Sequence, residues 1–293
     1  MDNKIPIRFF IVTFIWTWLF FAILIIIGNS DLQIENSIFQ IISVPIIVIA
    51  AFGPGVGAIY SIRTLNGKGS VKIFLKSFLS LKFGWKVWFS IIFILGFCSF
   101  ISWILPEFFG VSRLMPFLPS VFVFPVYLIF VTLFGGGQEE IGWNGYIYPF
   151  LEKKFNCLYA PLIMGIIWSV WHLPLWFITN TLQSNMNFLC FTLMVIGYAY
   201  FHTWIVESSG YRSLSGLISH GTANAYAALF PYLDMNPEAT TSRFWIYSVL
   251  MLFIGLIIGI YRFKKIIKIK LPKLHITNGN CCGRCSRPRG SVG

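Results

Sequence analysis

Two adjacent glutamates, Glu139 and Glu140, sit in a chain otherwise dominated by long apolar runs, and His172, His220 and Asn224 follow on later apolar segments. A carboxylate near the bilayer centre costs about 2.5–3.5 kcal/mol on insertion scales, so a retained pair marks a functional site by default. A carboxylate with an imidazole nearby can bind a water and take its proton. Further imidazole or carboxamide donors can stabilise the oxyanion of a tetrahedral intermediate. The same side chains can instead ligate Zn²⁺ or another divalent ion, which takes three His or Glu ligands and keeps an open position for water. Glu139, His172 and His220 are the candidates for that role. Both routes, metal-free and metal-dependent, lead to amide hydrolysis.

Spacing limits how these groups can meet. On a regular helix neighbouring residues point about 100° apart, so Glu139 and Glu140 face different directions and one supports the other. Residues four apart share a face, which pairs Glu140 with Asn144, Trp168 with His172, and His220 with Asn224. Counted along the spans at about 1.5 Å per residue, the four groups reach a common level once ordinary helix tilts are allowed.

The scaffold that must hold them is a membrane one. Of 293 residues, 57% are hydrophobic and 11% charged, against about 25% charged in a soluble domain. This composition predicts an all-α, polytopic membrane helix bundle. A crossing helix needs about 20 apolar residues, and eight such runs are present: 9–27, 39–60, 87–105, 122–148, 158–177, 188–205, 214–230 and 244–261. The first is too long for a signal-peptide core and lacks a small-x-small cleavage site, so it reads as a retained span. The fourth is interrupted by Gly135, Gly136 and Gly137, and the seventh carries Ser215, Ser219, His220 and Asn224. Polar spans of this kind face a bundle interior or a cavity.

A net charge of +12 is no nucleic-acid footprint here, because the basic residues cluster in a few segments between apolar runs. With both termini cytosolic, 20 of the 22 Lys and Arg residues fall inside and only Arg113 and Arg243 outside. The positive-inside rule favours this orientation. Between the second and third spans, Phe74, Leu75, Phe78 and Leu79 recur at helical spacing with Lys72 and Lys76 among them, the pattern of an interfacial helix on an anionic leaflet. Three lone cysteines (Cys98, Cys157, Cys190) and a tail trio (Cys281, Cys282, Cys285) make no disulfide framework. Residues 1–277 read as one membrane-embedded domain and 278–293 as a disordered Cys/Arg/Gly-rich tail without a second ligand cluster for a metal.

Taken in order, Glu139-Glu140-Ile141-Gly142-Trp143-Asn144-Gly145, Trp168-x-x-x-His172 and His220-x-x-x-Asn224 resemble the three motifs of the CPBP intramembrane proteases. That family includes the CAAX prenyl endopeptidases and many bacterial proteins linked to peptide processing and bacteriocin self-immunity. The motif-bearing core runs from about 122 to 230. The resemblance implies an eight-helix architecture, Glu139 as general base, His172 as its partner on the water, and His220 with Asn224 as oxyanion stabilisers or ligands. Glu140 is then a supporting carboxylate. One position departs from the pattern: where the family carries an arginine four residues after its second glutamate, this chain has Asn144. An arginine would neutralise Glu140 through a same-face ion pair, whereas an asparagine can only donate a hydrogen bond.

Taken singly, His172 and His220 would be packed interior residues, and their company with the glutamates reverses that reading. His202 lacks such company and is assigned to packing, His275 is left in the tail, and Trp143 and Trp168 are read as walls of the site. Gly135 to Gly137 read either as a close helix contact or as a local unwinding, and since small residues are common at helix contacts in membranes, packing is the default. Two other classes compete with a protease: a binding or immunity protein of the same fold weakened at Asn144, and a proton-coupled transporter. No internal symmetry favours the transporter. The Ile/Phe/Lys/Asn-rich composition points to an AT-rich bacterial genome, hence to a plasma-membrane protein, and favours a membrane-associated peptide or protein over a prenylated substrate without deciding between them. Reporter fusions test the topology: a C-terminal tag is expected to be accessible only after cells are permeabilised, and a tag reached from outside intact cells overturns the orientation.

Overall fold

The computed structural model describes residues 5–29, 36–179, 181–234 and 237–270. His275 and the tail with Cys281, Cys282 and Cys285 lie outside the described residues. Within them the structure is helical, with no strand: α1 (Ile7–Gly28), α2 (Asn36–Ala51), α3 (Gly53–Asn66), α4 (Lys68–Lys76), α5 (Trp85–Phe89), α6 (Leu95–Ile104), α7 (Phe124–Phe134), α8 (Tyr148–His172), α9 (Phe188–Ser208), α10 (Leu214–Leu229) and α11 (Pro237–Lys270). Six stretches are long and apolar enough to cross a membrane, which makes this a multi-pass membrane protein.

Helix α1 shows how apolar sequence becomes a sorted surface. Phe9, Thr13, Thr17, Phe21 and Leu24, three or four residues apart, form its buried stripe, while Ile7, Ile11, Ile15, Leu19 and Ile26 face outward. Without a hydrophobic drive between helices in lipid, close packing of small residues holds such pairs. Gly53 and Gly57 of α3 accordingly lie against Thr17 and Thr13, where a Cβ would collide with both hydroxyls. Pro54 has no N–H to offer the carbonyl of Ala50, four residues back. The Thr17 hydroxyl donates to that carbonyl instead, at 2.7 Å.

Of the eight candidate spans, the fourth and seventh, marked in the sequence by glycines and by polar residues, are the ones that do not form a long apolar helix of their own. The run 122–148 breaks into α7, a 3-10 turn Gly137–Ile141 and a π-helical turn Trp143–Ile147. At about 1.5 Å per residue, α7 spans roughly half of a 30 Å hydrocarbon core. The seventh expected span is the 16-residue α10, most of whose residues, Ser215, Ser219 and His220 included, are buried among neighbouring helices. Helix α8 restarts at Asn156, which has φ +65° and whose Oδ1 accepts from the amides of Leu158 (2.8 Å) and Tyr159 (3.2 Å). The predicted interfacial segment is α4 followed by a 3-10 turn Ser77–Leu79. Of its apolar set, Phe78 is buried and meets Phe74 edge-on at 5.2 Å, while Leu75 and Leu79 are exposed.

Arginines tie the bundle at both ends. At one end buried Arg262 of α11 donates to Tyr148 Oη (2.8 Å), Glu152 (3.1 Å) and Thr203 Oγ1 (3.1 Å), and pairs with Glu207. It thereby joins α8, α9 and α11. Arg212 reaches Ser80 at the same end. At the opposite end fully buried Arg243 donates to the carbonyls of Trp103 (3.1 Å) and Ser112 (2.7 Å), and Arg113 forms a two-pronged pair with Glu107. Between these ends α9 and α11 approach at glycines: a Cβ on Gly197 would lie against the Met251 carbonyl and 2.6 Å from Leu252 N. Overpacking a tight contact costs about 1–3 kcal/mol, so Gly197→Val is expected to lower the thermal unfolding temperature in detergent by several degrees. An unchanged transition would show that these helices can separate freely.

Candidate active site

The break at Gly135–Gly137 aims the two glutamates. Gly136 has φ +122°, a conformation open to glycine and strained for other residues. Gly137 is held so closely that a Cβ would lie 2.7 Å from the Leu217 carbonyl of α10. Both readings of the glycines, close contact and local unwinding, therefore apply here. In the tight turn that follows, the Glu139 amide donates to the Gly136 carbonyl at 3.0 Å, and the two carboxylates leave in different directions. Glu139 borders a cavity of about 470 Å³ together with His172, His220 and Asn224, whereas Glu140, fully buried, does not line it. Of the two acids named as catalytic candidates, one faces the cavity and the other stands behind it.

Trp168 fixes both groups beside Glu139. Its indole N–H donates to Glu139 Oε2 at 2.8 Å, and its backbone carbonyl lies 3.0 Å from His172 Nδ1. A carbonyl can only accept, so His172 carries its proton on Nδ1 there, and in the neutral ring Nε2 is left as an acceptor. That Nε2 sits 3.9 Å from Glu139 Oε2, beyond direct hydrogen-bond reach. Two acceptors thus face each other across a gap at the cavity wall.

Behind this pair lies a second polar set. Asn144 donates its carboxamide to Glu140 Oε2, the contact expected from their spacing although the intervening backbone is not regular α-helix. Glu140 Oε1 is 3.3 Å from His220 Nδ1. His220 presents its other nitrogen toward Gly136: a Cβ there would lie 2.9 Å from Nε2 and would collide with Asn224 Nδ2. Asn224 Nδ2 donates to the Gly135 carbonyl at 2.8 Å, leaving its second N–H for another acceptor. The α10 pair therefore converges over the broken backbone, opposite His172.

Sequence reasoning missed two contributors. Trp168 is a donor to Glu139 as well as a wall. His202, assigned to packing, stacks on the His220 ring at 5.4 Å and 20° and meets Ser219 Oγ at 2.8 Å through Nδ1. The i, i+4 relation of Trp168 and His172 signalled the first. Nothing in the sequence signalled the second, which depends on how α9 and α10 cross. Among the described residues no group of three His, Cys, Asp or Glu side chains is arranged to hold a metal ion, while His172 and His220 each engage Nδ1 with an acceptor and keep Nε2 for the cavity side, the orientation a metal-binding imidazole also takes.

The helical bundle and its buried acid–imidazole set define a polytopic membrane protein with an intramembrane polar site. Residues 119–226, which contain every one of these side chains, match the family of type II CAAX prenyl endopeptidase Rce1-like proteins. Over 103 residues the chain is 29% identical to CAAX prenyl protease 2 of Methanococcus maripaludis, a match covering 33% of this chain and 38% of that relative. Both findings support the CPBP/CAAX protease family, to which the three motifs point. A hydrogen bond to a charged group contributes about 1.5–3 kcal/mol, so Trp168→Phe, which keeps the ring and deletes the donor, is expected to lower hydrolytic turnover roughly 10- to 100-fold with the fold intact. Turnover equal to the wild type would remove Trp168 from the site.

Proposed function

We propose that this chain is an intramembrane endopeptidase that hydrolyses a peptide bond in a membrane-associated peptide or protein, in a bacterial plasma membrane with both termini cytosolic. The observation that carries the reading is the facing pair Glu139 Oε2 and His172 Nε2, both oriented by Trp168 at the cavity wall. A water donating one O–H to each acceptor is held with its lone pair toward the cavity. Glu139 takes the proton as the water attacks the scissile carbonyl, then passes it to the leaving amine. The free N–H of Asn224, with His220 when its Nε2 is protonated, lies where an oxyanion would develop. Glu140 and Asn144 act through His220, by holding its far nitrogen. The route uses side chains alone, and Zn²⁺ bound stoichiometrically and lost in His172→Ala would overturn that part of it.

Two features support this reading over its rivals. The apolar cavity suits a peptide segment, and the likeness to a protein named a CAAX prenyl protease is a likeness to a peptidase. The weakened-scaffold alternative rested on Asn144, yet its carboxamide supplies Glu140 with a donor. The test compares membranes holding the wild type and Glu139→Gln for cleaved peptides by mass spectrometry. Products are expected to vanish in the Gln variant, whose amide keeps the shape but cannot accept the proton, and their persistence would remove Glu139 from the mechanism. His172→Ala and His220→Ala are each expected to cut turnover severely and to combine with little further loss, as groups working as a unit do. Additive losses in log rate would assign them to separate steps.

A further inference from the structure

The cavity opens at one end of the bundle. Deep in it lie Glu139, His172, His220 and Asn224 with the buried Tyr232, and its less buried lining is Phe117 before α7, Leu182 and Gln183 before α9, and Leu233 after α10, which form the rim. These connections lie at the end where Phe117 donates its amide to the Ala228 carbonyl at 3.0 Å and Arg243 holds Trp103 and Ser112. Toward the Arg262 end the path is closed, since Trp143, Ile147, Tyr148, Leu151 and Met164 are at most 3% exposed. No residue of the connection holding Lys82 and Lys86, nor Arg212, borders the cavity.

Charge gives the two ends opposite sides. Among the described residues the Arg262 end carries Lys153 and Lys154 beside Glu152, Arg212 and the Lys264–Lys265 pair, whereas the rim end has Arg113 and Arg243, the first paired with Glu107 and the second bound to backbone carbonyls. Basic residues stay cytosolic, so the mouth faces away from the cytosol. The rim and upper walls are apolar, with Phe21, Phe117, Leu182, Met186 and Leu233, and the volume falls in the range of about 300–1,000 Å³ typical of ligand pockets.

We propose that the substrate is an apolar peptide segment presented from the non-cytosolic face, either an exported peptide or an extracytoplasmic stretch of a membrane protein, and not a cytosolic chain terminus. The inference rests on the proteolytic reading above for what happens to the peptide, and on charge and cavity shape for the side from which it comes. A peptide entering here passes the Phe117 and Leu233 rim and reaches Glu139 without crossing the basic face.

Cysteine labelling and cleavage separate the two parts. Phe117→Cys and Gln183→Cys report the rim, Lys82→Cys reports the opposite end, and the wild type with its native cysteines sets the baseline. A membrane-impermeant maleimide added to intact cells is expected to label both rim variants and not Lys82→Cys, with the reverse in inside-out vesicles. Rim labelling confined to inside-out vesicles overturns the inference. An internally quenched Leu/Phe-rich decapeptide is then supplied to the detergent-solubilised chain and to sealed vesicles of each orientation. Cleavage that depends on Glu139 is expected in detergent and in right-side-out vesicles, and cleavage in inside-out vesicles alone also overturns the inference. Silence in detergent counts against the peptidase, while the labelling still decides the side.

Discussion

Two carboxylates next to each other in a lipid-embedded bundle each need their own donors, and the rest of the structure is arranged around that requirement. On an unbroken helix they would point about 100° apart, toward whatever that helix happened to pack against. The turn entered through Gly136 lets them part: Glu139 goes to the Trp168 indole, Glu140 to the Asn144 carboxamide and the His220 ring. An unpaired charge at this depth is costly, so the donors are needed for the site to exist as well as to act. The nearness of Gly136 to His220 Nε2 and Asn224 Nδ2 means that the same turn both separates the acids and admits the α10 pair.

The scaffold serves this division by holding α8, α9 and α10 in fixed relation. Trp168 and His172 come from α8, His202 from α9, and His220 with Asn224 from α10. Arg262 locks α8 to α9 through α11 at one end, and glycine contacts bring α9 against α11 along their middle. Short of that locking, a gap of 3.9 Å between Glu139 and His172 would vary with every shift of the helices. Displacements of about 1 Å at a reacting centre can reduce rates a hundredfold.

Much of this was legible in the residues. Composition and run length give the membrane bundle, and the order Glu139, His172, His220, Asn224 gives the groups that meet. Four-residue spacing gives the Glu140–Asn144 contact even though the backbone between them is a 3-10 and then a π turn. What sequence could not supply was the path of the chain between 122 and 148, because hydropathy counts apolar residues and is blind to the sign of φ at Gly136. It also could not separate the glutamates by role, since both are equally buried by pattern and only the cavity distinguishes them. The contact of His202 with His220 was hidden for a related reason, as residues 18 apart on different helices meet through a crossing that no local period encodes.

The buried apolar side chains fall into two clusters of unequal size. The larger runs through α1, α3, α8, α9 and α11 and includes Trp143, Trp168 and Trp171; the smaller joins Phe21, Leu24, Phe39, Ala50, Leu175 and Ile178. The reactive side chains stand against the large cluster, while Phe21, Ala51 and Leu175 on the cavity wall belong to the region of the small one. The enclosure is therefore walled by both clusters. Trp176 packs against both clusters and Leu175 follows His172 by three residues, so a guest bulky enough to displace the smaller cluster would also be felt at His172.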